Sequence, residues 1–151
     1  MPMRPIAKLA VPKQVEVSFA SDEAQDEIST DTATDTTART VEVSLPSGAT
    51  IKRALLVAVV VARNGSANTQ NIGLNIQARP SGGSWTSVFN KANCIGLPNA
   101  EGAAVALAIP QEVSSIVTEP GTYEFKTTVT QSSANPVTYT TIYVLIIAYE
   151  M

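Results

Sequence analysis

The sequence predicts an all-β protein: an antiparallel β-sandwich, a jelly roll of about eight strands, with an immunoglobulin-like sandwich as the competing arrangement. Three observations predict it. Val, Ile and Thr abound while Glu/Lys/Leu helix formers are scarce, which favours sheet. Apolar residues recur with a period of two in segment after segment. Pro, Gly and Asn punctuate those segments at short intervals, with no amphipathic helix between them to build a parallel crossover. At 151 residues the chain fits one domain with a sizeable core of its own.

Residues 1–13 read as an extended arm. Pro2, Pro5 and Pro12 exclude helix, Arg4, Lys8 and Lys13 are its only charges, and Ile6, Leu9 and Val11 are spaced as anchors. Residues 14–151 are expected to form a single sandwich domain. Gln14 to Ala20 is its first strand, with Val15, Val17 and Phe19 on one face. Residues 21–38 follow as an acidic loop holding Asp22, Glu23, Asp26, Glu27, Asp31 and Asp35 and no basic residue. Ser21 is placed to cap a short helical turn from Asp22, and Thr30 to Thr37 is disordered-like in composition. Val41, Val43 and Leu45 then alternate with polar residues before the Pro46-Ser47-Gly48 turn.

Ile51 to Arg63 is a long strand with two apolar faces. Leu55, Val57, Val59 and Val61 line one, and Ala54, Leu56, Ala58, Val60 and Ala62 the other. Asn64-Gly65 reads as a tight hairpin turn into Asn71 to Arg79, where Ile72, Leu74, Ile76 and Ala78 point inward. Ser84 to Asn90 is a short strand carrying Trp85 and Phe89. Ala103 to Ile109 sets Val105, Leu107 and Ile109 against alanines, and Pro110 to Thr118 reads as a turn of helix or an irregular strand. After Pro120-Gly121, Tyr123, Phe125 and Val129 alternate inward. After Ala134-Asn135-Pro136, Val137 to Glu150 closes the fold, with Ile142, Val144 and Ile146 on one face and Tyr143, Leu145, Ile147 and Tyr149 on the other.

Composition narrows the function. The chain has no histidine, which removes the commonest general base and the commonest zinc ligand, so no enzyme and no cofactor are expected. Its single cysteine, Cys94, makes no intrachain disulfide and reads as a buried, inert thiol. A net charge of -3 speaks against nucleic acid as a ligand. No secretion signal is read at the start, because prolines interrupt any apolar run, and the stretch Ala54 to Ala62 is half a membrane span, so no membrane partner is expected.

Among the residues that carry chemistry, Asp31 and Asp35 are candidate ligands of a hard cation, against the plainer reading of a solvated acidic loop. Thirteen acidic residues less the six in that loop leave seven against ten basic ones, so the basic arm and the acidic loop of neighbouring copies are complementary in charge. Trp85 reads first as a core anchor and second as a stacking platform for a sugar. Paired carboxylates for glycoside cleavage are disfavoured by the few aromatic residues, and Asn64-Gly65-Ser66 matches a glycosylation acceptor that the hairpin explains equally well.

The two doubly apolar strands say most. A lone sandwich keeps one face of each strand wet, so the second face is covered either by the chain's own loops and arm or by identical subunits. On the latter reading Leu56 and Val60 on one strand and Ile142, Val144 and Ile146 on the other are assigned to an interface. Ile6, Leu9 and Val11 of the arm join them. The arm, the Ser/Thr/Asn-rich strands, the start Pro120-Gly121-Thr122-Tyr123-Glu124-Phe125 and the close Thr140-Thr141-Ile142-Tyr143-Val144-Leu145-Ile146-Ile147 together resemble the small jelly-roll structural proteins of double-stranded DNA viruses and tailed phages, of the capsid decoration and minor capsid kind. That resemblance implies a non-enzymatic virion component, assembled in the host cytoplasm as a homo-oligomer, a trimer first, on a major capsid protein. The competing expectation is a carbohydrate- or cell-surface-binding module built around Trp85 and the acidic loop.

Overall fold

The computed structural model describes residues 14–21, 26–28, 33–132 and 136–151, with side chains described for 33–132 and 136–151. The described residues are all strand and connection, with no helix. The strands are β1 (Gln14–Ser21), β2 (Asp26–Ile28), β3 (Thr34–Asp35), β4 (Arg39–Val43), β5 (Thr50–Asn64), β6 (Gln70–Pro80), β7 (Thr86–Leu97), β8 (Ala104–Glu112), β9 (Gly121–Gln131) and β10 (Val137–Glu150).

They form two antiparallel sheets. The first runs β1-β10-β5-β8, with β2 sharing the β10 edge beside β1. The second runs β3-β9-β6-β7, with β4 sharing the β9 edge beside β3. Ten strands, less one for each shared edge, leave eight positions. Numbered in chain order, these lie as 1-8-3-6 in one sheet and 2-7-4-5 in the other, the double wrap of a jelly roll. An immunoglobulin-like order does not fit, because among these positions only β6 and β7 are consecutive neighbours within a sheet.

The acidic loop is thereby reshaped. Its described parts are short strands, β2 on β10 and β3 on β9, so residues 21–38 carry the chain from one sheet edge to the other. The proposed helical turn from Asp22 lies outside the described residues. Asn64-Gly65 is also not a hairpin, since β5 and β6 belong to different sheets. Asn64 is 1% exposed and works as a clamp: its Nδ2 donates to the carbonyls of Asn68 at 2.6 Å and Pro98 at 3.0 Å, while its Oδ1 accepts from the Ser66 amide at 3.1 Å. A side chain so enclosed is closed to glycosylation. Pro110 does not stop its strand. It sits in β8 opposite Val57, at a sheet edge where a missing N–H is tolerated. β7 runs on to Leu97, past the Asn90 expected as its end.

The core lies between the sheets, and register explains its composition. On β5 the buried apolar positions are Ala54, Leu56, Ala58, Val60 and Ala62. Each alanine pairs with a large residue of β10: Ala62 with Tyr139, Ala58 with Tyr143, Ala54 with Ile147. Small beside large lets the two strands fill the layer together. From the second sheet, Ile72, Leu74, Ile76, Tyr123, Phe125 and Val129 complete it, and the Phe125 and Tyr143 rings lie 5.7 Å apart. The buried phenols are satisfied, Tyr143 at 2.7 Å from the Thr127 hydroxyl and Tyr139 donating to Gln131 Oε1 at 3.0 Å. Cys94 is half-buried and packs against this core.

Candidate functional site

The first sheet turns an apolar surface outward. Because β5 buries its alanine-bearing positions, its larger residues Leu55, Val57, Val59 and Val61 face away from the core and are half-buried. β10 sets Ile146, Val144 and Ile142 directly opposite Leu55, Val57 and Val59, and these are half-buried too. On the other side of β5, the exposed residues Pro110, Ala108 and Ala106 stand opposite Val57, Val59 and Val61. Along β1 the register places Val15, Val17 and Phe19 across from Ala148, Ile146 and Val144. Apolar positions thus run across all four strands.

Among the residues with described side chains, charge lies at the rim of this face. Arg53 Nε donates to Glu112 at 2.8 Å, and Lys52 lies 3.3 Å from Glu150. The Ser114 hydroxyl also donates to Glu112, and with Arg53 it holds that carboxyl below the usual range. Arg53, Leu55, Ile146 and Ala148 line a shallow depression of about 210 Å³ at this end.

This placement divides the expected interface residues. Ile142, Val144 and Ile146 lie on the outer face. Leu56 and Val60 do not: both are 0% exposed, sealed between the sheets, so they are core residues. The alternation holds, but the face of β5 left for an interface is the other one, that of Leu55, Val57, Val59 and Val61. The signal lay in the alanines, which β10's tyrosines require as neighbours. Ile6, Leu9 and Val11 lie outside the described residues.

The second sheet turns a polar face outward. Trp85 is half-buried there, not in the core, with the Arg79 guanidinium 4.2 Å and the Lys126 ammonium 4.7 Å from its ring centroid. Each cation has its own carboxylate: Arg79 Nε donates to Glu124 at 2.6 Å, and Lys126 Nζ to Asp35 at 2.5 Å. The Thr128 hydroxyl donates to Asp35 as well, at 2.5 Å. Lys126 first, then Thr128, hold the Asp35 carboxyl below its ordinary range. Trp85 therefore already stacks cations of its own chain. The Asp35 oxygens are taken by Lys126 and Thr128, Asp31 lies outside the described residues, and no group of three His, Cys, Asp or Glu gathers among the described ones. No helix among them is long and apolar enough to cross a membrane.

No family model matches the chain, and no curated protein matches it. Solved structures do. A chain of the T13 viral particle of IBDV is similar over 99% of this chain and 39% of its own length, at 12% identity and a TM-score of 0.51. The dimeric latent PorU of Porphyromonas gingivalis is similar over 97% of this chain and 14% of its own, at 11% identity and a TM-score of 0.51. The VP2 subviral particle of infectious bursal disease virus aligns over 99% of this chain and 42% of its own, at 12% identity and a TM-score of 0.49. The chain therefore spans about two fifths of the length of these two viral chains. At such identities the likeness is one of fold, an antiparallel β-sandwich shared with a chain of the T13 viral particle and with PorU.

Proposed function

We propose that the chain is a non-enzymatic structural protein of a virion, a decoration or minor capsid component that self-associates through the outer face of its first sheet. The observation that carries this reading is the apolar surface of β5 and β10, continued in register onto β1 and β8 and bordered by ion pairs. Soluble monomers rarely present contiguous apolar faces of this kind, and interfaces do. The fold shared with a viral particle's chain agrees with it. The proposed partners are copies of the same chain, a trimer first, and a major capsid protein. The proposed site of action is the virion, assembled in the host cytoplasm. The arm, through Ile6, Leu9 and Val11, is proposed as a second contact.

Light-scattering mass tests this on the full chain, on a chain lacking residues 1–13, and on Val59→Lys. A discrete oligomer that dissociates in Val59→Lys and weakens without the arm is expected. A monomer whose mass and melting ignore both changes refutes self-association.

A further inference from the structure

β6 and β7 do not pair evenly. Ile72 is opposite Ile95 and Leu74 opposite Lys91, so Gly73 alone faces Ala92, Asn93 and Cys94. The surplus residues bow outward as a β-bulge, with Asn93 in the left-handed region at φ 51°. Gly73 is required beneath it, since a Cβ there would fall 2.3 Å from Thr130 Oγ1 and 3.4 Å from Ala92 Cα. Bulge and glycine together open a cavity of about 310 Å³ on the outer face of the second sheet. That volume stands at the small end of ligand pockets, roughly 300–1,000 Å³.

The wall joins apolar surface from Ala33, Leu74 and Ala92 to uncharged hydrogen-bonding side chains, with Lys91 as its one ionisable residue. Asn75, Asn90, Thr128 and Thr130 line the cavity, and the Lys91 carbonyl oxygen lies beside Gly73. The Asn90 amide and the Thr130 hydroxyl make no side-chain hydrogen bond among the described residues. Asn75 uses only its Oδ1, which accepts from the Ser87 hydroxyl at 2.6 Å. Thr128 donates to the Asp35 carboxylate, whose charge is balanced by Lys126, so this pair adds no net charge beside the cavity.

We infer that this bulge cavity binds a single neutral pyranose unit, as a free monosaccharide or as the end of a glycan. Alternating amide, hydroxyl and carbonyl groups match a ring of hydroxyls, each of which both donates and accepts. The bare Gly73 leaves room for the Thr130 hydroxyl to settle at the cavity floor, where it can meet the ring. The site lies on the face opposite the apolar one and does not depend on the assembly reading.

The test uses the full chain and chemical-shift titration with the methyl α-pyranosides of mannose, glucose and galactose, the corresponding free sugars, and glucuronate. At least one neutral sugar should saturate with a Kd of order 1–10 mM, a weak single-site affinity. Its shifts should be confined to residues 73–75, 90–92 and 128–130. Asn90→Ala and Thr130→Val, both at exposed positions, should each weaken it about fivefold, the loss of one hydrogen bond. Gly73→Ala should abolish it. A methyl glycoside bound as tightly as its free sugar marks a glycan end, and a free sugar bound at least about fivefold tighter marks a monosaccharide. Absence of saturation by every neutral sugar, shifts centred on Trp85, tighter binding of glucuronate, or affinity untouched in both Asn90→Ala and Thr130→Val would overturn the inference.

Discussion

Leu55 and Leu56 are chain neighbours on one strand with opposite surroundings, and truncating each in turn tests which face of β5 is the core. Leu56 is 0% exposed, whereas Leu55 is half-buried on the outer face. Leu56→Ala removes three buried carbons, roughly 2.4 kcal/mol at about 0.8 kcal/mol each. Incomplete collapse around a residual void of roughly 40 Å³ adds about 1 kcal/mol at about 24 cal/mol per Å³. The expected cost is therefore about 3–4 kcal/mol, which a domain of ordinary stability survives. Leu55→Ala loses about half the transfer term and leaves no enclosed void, so about 1 kcal/mol is expected. Urea unfolding followed by the fluorescence of Trp85, the single tryptophan, reads both at one low protein concentration, since self-association would otherwise shift the midpoint. With an m-value of about 2 kcal/mol/M, the Leu56→Ala midpoint should fall by about 1.5–2 M and that of Leu55→Ala by about 0.5 M. Equal shifts, or a larger one for Leu55, would refute this assignment of faces and with it the outer apolar surface.

Tyr123 locks the start of β9 by donating its hydroxyl to the Glu119 carbonyl at 2.6 Å, so Tyr123→Phe should cost about 1–2 kcal/mol and lower the melting temperature by several degrees. Asp35 titrates below its ordinary value in the folded chain. Its contribution is thus present above the unfolded carboxylate pKa, near 3.8, and is lost as pH falls through the lower folded value. Asp35→Asn should flatten the acid limb of a melting-temperature profile below about pH 4. Burial pushes the Tyr139 and Tyr143 phenols up, so their contribution is complete below the ordinary tyrosine value near 10 and lost above it. Tyrosinate absorbance at alkaline pH should therefore include a late fraction that appears together with unfolding, and that Tyr139→Phe reduces.

The strand pattern was legible because a period of two is local. Val41 with Val43, Ile72 with Leu74 and Ile76, and Tyr123 with Phe125 and Val129 announce their inward faces without knowledge of any partner. Where both faces are apolar, that signal is silent. The parity of β5 follows from what stands beside it, and only the pairing of Ala58 with Tyr143 and Ala62 with Tyr139 shows why the smaller residues go inside. Asn64-Gly65 misled for a related reason. A hairpin and a sheet-to-sheet crossing can begin with the same two residues, and the difference lies in remote partners, the Pro98 carbonyl taken by the Asn64 side chain and the Pro136 carbonyl by the Gly65 amide. Gly73 had the opposite difficulty. An isolated glycine in a strand hints at a bulge. Its use appears only when Thr130 and Ala92 from two other strands close around it.

Both outer faces inherit their character from the jelly-roll wrap. The wrap places the closing strand β10 between β1 and β5, the three strands richest in large apolar residues at outward register positions. It places β9, whose outward positions are Glu124, Lys126, Thr128 and Thr130, between β3 and β6, so that Asp35, Arg79 and Asn75 stand within reach. One sheet is therefore greasy outside and the other charged and hydroxylated, although neighbouring segments of sequence alternate between the two. The two proposed uses of these faces are therefore independent. Substitutions on β5 should alter association without touching the bulge cavity, and substitutions at Asn90 or Thr130 should do the reverse, because the whole core lies between them.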